Sequence, residues 1–125
     1  MATGDVRAAG GGNEPPLLLR ANQLAEEVPA GGFVLGATPD WEYQETVFRL
    51  EESDLLLLVT DGIIEARRGA SFFGYQGFTE AARQAAASAT GSLVTVGDAV
   101  IRDAREFAGG RLQDDACLLL VRRRP

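Results

Sequence analysis

Two apolar runs, each flanked by aspartate, constrain the fold of this chain most strongly. The first run, Leu55–Thr60, stops at Asp61, and the second, Ala116–Val121, begins directly after Asp114 and Asp115. A strand that is buried on both faces reads as a continuous apolar run, so both segments predict buried strands. If these strands are antiparallel neighbours, the three carboxylates lie at the same edge of one sheet.

The remaining segments predict further strands and two helices. Shorter strands are expected at Val6–Ala9, at Leu17–Arg20 with Leu24–Val28 as its hairpin partner, and within residues 42–50. An alanine-rich helix is expected from Phe78, with its apolar positions at Ala81, Ala82, Ala85 and Ala89. A clearer helix carries one apolar stripe, made of Leu93, Val96, Val100, Ala104 and Phe107.

The limits of the second helix and the order of the elements give the fold class. Ser92 is a candidate N-cap, and Gly109 and Gly110 are a C-terminal stop signal. Several strands, two helices and a final strand predict an α+β fold, a mostly antiparallel β-sheet with helices packed on it. The 125 residues predict a single domain, 1–125, with residues 1–12 largely irregular.

Composition excludes several kinds of function. The chain has no His and no Lys, which removes histidine-based triads, histidine-ligated zinc, Walker-type phosphate loops and Schiff-base chemistry. Its single cysteine, Cys117, cannot form an internal disulfide. The net charge of −6 argues against a nucleic-acid partner. With no signal peptide and no long apolar run, we expect a soluble cytoplasmic protein without membrane insertion.

The aspartates at the two strand ends are candidate ligands of a hard cation. Oxygen donors on rigid strand ends suit Mg²⁺ or Mn²⁺, and Gly62 allows the backbone to approach such a site closely. Each motif also has a simpler interpretation, because Asp-Gly after an apolar run is a common turn and a loop Asp-Asp pair is often only solvated. The hypothesis of a metal site depends on all three carboxylates meeting at one edge.

Four segments, in order, resemble one known family. They are GNEPPLLLR at 12–20, DLLLLVTDGIIEARR at 54–68, the Phe-Gly element Phe72–Gly74, and FAGGRLQDDACLLLVRR at 107–123. Together they resemble the C-terminal portion of the SpoIIE-type domains, the bacterial branch of the metal-dependent (PPM, type 2C-like) protein serine phosphatases. The combination of TDG, Glu65–Arg67 and QDD at this separation carries most of the resemblance.

The resemblance implies a fold, a reaction and a set of site residues. Its fold is an αββα sandwich whose edge binds two Mn²⁺ or Mg²⁺ ions, and these activate a water that attacks phosphoserine. Asp61 and Asp114 match the family's catalytic, metal-binding aspartates, Asp115 is the further candidate metal ligand, and Gly62 is the candidate cofactor-binding residue. The implied substrate is a small phosphorylated regulator of the anti-anti-sigma type, within sigma-factor or stress signal transduction.

Departures from the family pattern leave a second interpretation open. Asn13 and Cys117 stand where the family has His and Thr, and Asp5 lies too close to the Pro-Pro loop to match the upstream Gly-Asp-Val motif. We therefore expect the N-terminal ligands to be missing and the chain alone to be weakly active or inactive. The alternative is a truncated, non-catalytic module for partner binding or homodimer formation. A receiver domain with Asp61 as phosphoacceptor is disfavoured by the lack of lysine.

Overall fold

A computed structural model of the chain describes residues 3–12, 14–30, 42–88 and 92–124. The described residues form the following elements in chain order: β1 Asp5–Ala8, β2 Leu17–Leu19, β3 Ala25–Glu27, β4 Thr46–Arg49, β5 Leu55–Val59, α1 Asp61–Ile64, β6 Arg67–Arg68, β7 Ser71–Phe72, α2 Gly74–Ser88, α3 Leu93–Phe107 and β8 Leu118–Arg122. Asn13 and Ala89, which carried sequence predictions, lie outside the described residues. The predicted α+β class is confirmed.

The strands form one four-stranded sheet and two small two-stranded ones. The large sheet has the order β3-β2-β5-β8, while β1 pairs with β4 and β6 pairs with β7. In the large sheet β2 runs antiparallel to both β3 and β5. At β5 and β8, Thr60 bonds to Cys117 and Asp54 to Arg123, so partner numbers fall along one strand as they rise along the other. The two apolar runs are therefore antiparallel neighbours, as the sequence predicts.

The chain divides into two compact units, residues 1–58 with 121–125 and residues 59–120, and both β5 and β8 contribute residues to each. In the first unit, β1 and β4 pack against the large sheet. The buried cluster there consists of Leu18, Val28, Ala30, Leu50 and Leu56, with Val6, Ala8 and Phe48 packed against it. Since Val6, Ala8 and Phe48 belong to β1 and β4, this unit contains the beginning of a two-layer sandwich.

A buried ion pair fixes the turn that precedes β5. The carboxylate of Asp54 is only 3% exposed and lies 2.7 Å from the guanidinium of Arg20. It also accepts backbone N–H groups from Ala21 at 3.0 Å and Glu51 at 2.9 Å. Arg20 donates in addition to the carbonyl of Arg49 at 2.8 Å. The hydrogen bond to Asp54 is the main reason why the pKa of Arg20 is raised above its ordinary value.

The second unit contains the three helices and the β6–β7 hairpin. Helix α3 begins and ends where the sequence predicts: the hydroxyl of Ser92 caps its third backbone N–H at 3.4 Å. At the other end, Gly109 N–H donates to Glu106 and Gly110 N–H to Arg105, with both glycines at positive φ. These two bonds form a Schellman motif, which satisfies carbonyls that the helix leaves free. Helices α2 and α3 pack against each other, and α1 contacts both.

Several details differ from the sequence predictions, which included neither α1 nor the β6–β7 hairpin. Helix α2 begins at Gly74 rather than Phe78, and β8 begins at Leu118 rather than Ala116. The expectation that both apolar strands are buried on both faces is wrong for β8, because Leu119 is 56% and Val121 41% exposed. On β5, Leu58 is 39% exposed. Along these strands the apolar runs have one face that the described residues do not fully cover.

Within the described parts of the chain, no helix is long and apolar enough to cross a membrane.

Candidate metal centre

Thr60 and Cys117 join the ends of β5 and β8. The backbone N–H of Thr60 donates to the Cys117 carbonyl at 3.1 Å. In return, the Thr60 hydroxyl accepts the Cys117 N–H at 2.9 Å and donates to the same carbonyl at 3.3 Å. Because Asp61 follows Thr60 directly, these bonds bring the start of α1 beside the segment that leads into β8.

Gly62 brings the two aspartate motifs into direct backbone contact. It is buried, and a Cβ atom placed on it would overlap the carbonyl oxygen of Asp115 and approach the carbonyl carbon to 2.7 Å. The backbone nitrogen of Ala116 would lie 3.1 Å from the same Cβ atom. Glycine at this position therefore permits a close approach to the backbone of Asp115, while the role of Gly62 at a bound cofactor stays a prediction.

The three carboxylates at this edge are all exposed to solvent. Asp61 is the first residue of α1, and its backbone carbonyl accepts the N–H of Glu65 at 2.7 Å. One carboxylate oxygen of Asp114 accepts the N–H of Asp115 at 2.8 Å, which leaves the other oxygen available. Among the described residues, the side chains of Asp61 and Asp115 make no hydrogen bond or ion pair with protein groups. The arrangement thus leaves oxygen donors of three aspartates facing water.

The structure brings Asp61 and the Asp114–Asp115 segment to the same sheet edge, as predicted. Asp114 and Asp115 are both placed to be a metal ligand there. Both lie in the loop before β8, so the alternation of strand side chains does not distinguish them, and the preference for Asp114 rests on its match to the family's motif. No group of three or more His, Cys, Asp or Glu that could hold a metal is formed by the residues described. The direct sharing of a cation by Asp61 and Asp114 stays a prediction.

The donor set fits a hard divalent cation in kind. The candidate ligands are carboxylates on backbone segments that hydrogen bonds and a buried glycine hold side by side, and they include no nitrogen or thiolate donor. Oxygen donors of this type suit Mg²⁺ and Mn²⁺, which keep several bound waters and use few carboxylates. Asp61 and Asp114 are the residues that would hold such an ion, with Asp115 as the other available carboxylate.

Sequence reasoning missed two contacts, one at this edge and one at the opposite end of β5. The hydroxyl of Thr60 connects β5 to β8, and the signal for it was a threonine between a buried strand and an aspartate. The ion pair of Asp54 with Arg20 has no local signal, since the two residues are 34 positions apart. Asp5, set aside in the sequence, is the first residue of β1 and pairs in register with Arg49, and both belong to the first unit, whereas Asp61 belongs to the second.

Solved structures resemble the chain closely in fold. The crystal structure of the RsbU and RsbW domains of Rv1364c from Mycobacterium tuberculosis matches 98% of this chain, with a TM-score of 0.81 and 28% identity. The PP2C phosphatase domain of SpoIIE from Bacillus subtilis, with a fragment of its regulatory domain, matches 95% with a TM-score of 0.79 and 18% identity. The SiaA PP2C domain of Pseudomonas aeruginosa matches 91% of this chain, with a TM-score of 0.70 and 20% identity.

In each comparison this chain spans less than half of the solved chain: 34%, 34% and 45% in the same order. A search of curated protein sequences found no significant match. The family model described as Stage II sporulation protein E (SpoIIE) matches residues 1–124. This match covers nearly the whole sequence and agrees with the motifs around Asp61 and Asp114. The chain therefore belongs to the SpoIIE family of PP2C-type phosphatase domains.

Proposed function

We propose that the chain is part of a metal-dependent protein serine/threonine phosphatase domain that hydrolyses phosphoserine on a small regulatory protein. The observation that carries this proposal is the placement of Asp61 beside the Asp114–Asp115 segment at one edge of the sheet. Three hydrogen bonds between Thr60 and Cys117 and the contact at Gly62 support that placement. Membership of a phosphatase family agrees with it.

The residues of this chain would perform two tasks in the reaction. Asp61 and Asp114 would hold cations with exposed carboxylate oxygens, and the backbone contact of Gly62 with Asp115 would keep these two ligands in a fixed relation. When bound, Mn²⁺ or Mg²⁺ would activate a water molecule and neutralise negative charge on the phosphoryl group. These 125 residues contain no His, so the groups in them that could accept a proton from the attacking water include the carboxylates of Asp61, Asp114 and Asp115.

The substrate and the pathway are inferred from the family resemblance. A phosphorylated regulator of the anti-anti-sigma type, acting in the cytoplasm within sigma-factor or stress signalling, is the substrate class we propose. One solved relative carries RsbU and RsbW domains in a single structure, which supports a link between such phosphatase domains and regulatory partners. Fold alone does not determine a substrate, so this part of the proposal needs a biochemical test.

A second candidate function is a non-catalytic module that binds a partner or a second copy. It is favoured by the lack of any three-ligand cluster among residues 3–12, 14–30, 42–88 and 92–124. Two or three carboxylates can hold one ion through water, whereas a two-metal site needs more ligands to fix the second ion.

A Mn²⁺ titration followed by calorimetry separates the two candidates. The phosphatase proposal predicts weak binding to the 125-residue chain and tighter binding to a version that is extended upstream in its own reading frame. Asp61→Asn should weaken Mn²⁺ binding to both proteins. Asp98 is an exposed aspartate of α3, and Asp98→Asn should leave Mn²⁺ binding to both proteins unchanged. Equal affinities for the Asp61→Asn protein and the unsubstituted chain would support the non-catalytic module.

A further inference from the structure

The β6–β7 hairpin, Arg67–Phe72, is built directly onto the turn that begins with Asp61. Ala66 N–H donates to Ile63 at the end of α1, and the Ala66 carbonyl accepts the N–H of Phe73 at 2.7 Å, which closes the base of the hairpin. Its two-residue loop begins with Gly69 at a φ of 59°, the conformation that a type II′ turn needs at its first position. The hairpin is thus short, closed and continuous with the candidate metal centre.

One face of the hairpin is anchored to helix α3. The Arg68 side chain donates from its Nε to the carbonyl of Phe107 at 3.1 Å, and its guanidinium lies 4.7 Å from the centre of the Phe107 ring. The ring of Phe73 lies 5.8 Å from the same ring. Cation–π and aromatic contacts of this kind hold the hairpin in place on α3.

The other face of the hairpin is open. Arg67 and Phe72 are directly paired across the two strands, and the guanidinium of Arg67 lies 5.9 Å from the Phe72 ring centre. Adjacent strand residues face opposite sides, so Arg67 points away from the side that Arg68 uses. Phe72 is 56% exposed, and the ion pairs found among the described residues do not include Arg67. The Arg67 guanidinium and the exposed Phe72 ring therefore form one surface patch.

The net charge of the chain indicates a binding role for this patch. At a net charge of −6, the protein as a whole repels an anionic phosphoprotein. Arg67 follows Asp61 by only six residues, so the two residues are at most about 20 Å apart. An extended substrate peptide spans this distance with about six residues. A bound phosphoserine at Asp61 would therefore place the flanking residues of the same segment within reach of Arg67 and Phe72.

We propose that Arg67 and Phe72 bind the segment flanking the phosphoserine of the substrate, with Arg67 pairing with an acidic side chain and Phe72 contacting an apolar one. This inference rests on the proposed phosphatase function, and it adds a specificity surface outside the metal centre. Arginine and aromatic side chains are the residue types that dominate binding at protein interfaces, and here they lie side by side. Arg68, whose guanidinium already contacts Phe107, serves instead to position the hairpin.

Fluorescence anisotropy can test the patch with a labelled peptide that carries a central phosphoserine, flanking glutamates and one leucine. Arg67→Ala should raise the Kd of the 125-residue chain for this probe at least about threefold, since an exposed charge pair contributes a factor of this order. Phe72→Ala should raise it as well, and Arg67→Lys should restore part of the loss. Arg7→Ala is the matched control, because Arg7 is also an exposed strand arginine, 75% exposed on β1.

The outcomes separate this inference from the proposed function. Arg7→Ala should leave the Kd unchanged. If Arg67→Ala binds the probe as tightly as the unsubstituted chain, if Arg7→Ala weakens binding as much as Arg67→Ala does, or if the unsubstituted chain does not bind the probe, the patch is not a docking surface. Circular dichroism of each variant shows whether the fold is intact. Hydrolysis of p-nitrophenyl phosphate by the upstream-extended protein tests the phosphatase function alone, because this small substrate has no flanking segment.

Discussion

The side-chain hydroxyl of Thr60 and the backbone of Cys117 hold the ends of strands β5 and β8 together through hydrogen bonds of 2.9 and 3.3 Å. This pair sets the distance between the chain segments that carry Asp61 and Asp114. Any loosening of the pair should therefore affect both the stability of the sheet edge and the affinity of the candidate metal centre.

Thr60→Val should lower the free energy of unfolding by about 1 kcal/mol, because valine keeps the shape of threonine but removes the hydroxyl that serves Cys117. Thr60→Ser, which keeps the hydroxyl, is the control and should lose less. Urea denaturation measures both. Equal midpoints for Thr60→Val and the unsubstituted protein would show that the backbone bond alone holds the two strands.

Gly62→Ala should destabilise the protein by about 1–3 kcal/mol, since the added methyl group would overlap the backbone of Asp115, which cannot move as a flexible side chain can. Gly97→Ala in α3 is the matched control. Its new methyl group would lie 3.4 Å from the flexible end of Leu120, and alanine favours a helix over glycine. We expect thermal unfolding to show a lower Tm for the first substitution and an unchanged or higher Tm for the second.

Asp54→Asn should cost about 2–4 kcal/mol, because it leaves Arg20 without its buried counter-charge and disturbs the turn before β5. Glu26, whose side chain is 44% accessible, is the exposed partner of Arg20. Glu26→Gln should lower the free energy of unfolding by less than about 1 kcal/mol. Urea denaturation of both proteins provides the comparison. Losses of equal size would contradict the structural role assigned to Asp54.

The Arg20–Asp54 pair also makes a prediction about pH. The pKa of Arg20 is raised by its hydrogen bond to Asp54, so its contribution to stability is complete below the ordinary arginine pKa and is lost only as pH rises through the raised value. Between about pH 6 and 9, arginine stays charged in the folded and unfolded states. The stability difference between Asp54→Asn and the unsubstituted protein should therefore be constant over this range, as urea titrations at several pH values can check.

The exposed apolar face of β8 should promote self-association. Leu119 and Val121 are two residues apart on this strand, so they face the same side, and they are 56% and 41% exposed. We expect light scattering after gel filtration to show dimers or larger species that the double substitution Leu119→Thr, Val121→Thr shifts towards monomer. Val94→Thr, at a 71% exposed position on α3, should change nothing. A monodisperse monomer before any substitution would contradict this expectation.

Local patterns in the sequence were sufficient to predict helix α3 to its terminal residues. Its apolar stripe, the cap at Ser92 and the stop at Gly109 and Gly110 all lie within the helix or next to it. The antiparallel pairing of β5 with β8 was also predictable, because the segment between them is long enough for two helices to cross one face of the sheet and return the chain. The helix prediction needed no knowledge of distant contacts.

Other features, which depend on distant residues or on where an element begins, were not predictable. The exposure of Leu119 depends on which part of the protein covers that face of the sheet, and an apolar run does not contain this information. The preference for Asp114 over Asp115 came from its match to the family's motif, and the start of β8 at Leu118 leaves both residues in a loop, where strand alternation does not distinguish them. The anchoring of the β6–β7 hairpin by Arg68 and Phe107 joins residues 39 positions apart.

The central claim is that Asp61 and Asp114 belong to a metal-dependent phosphatase centre that needs further ligands. The most direct measurement is Mn²⁺-dependent release of phosphate from a phosphoserine peptide by the 125-residue chain and by the upstream-extended protein. We expect negligible release by the former and rescue in the latter, with Asp61→Asn and Asp114→Asn each abolishing the rescue. Robust Mn²⁺-dependent turnover by the 125-residue chain, or full turnover by the extended Asp61→Asn protein, would contradict it.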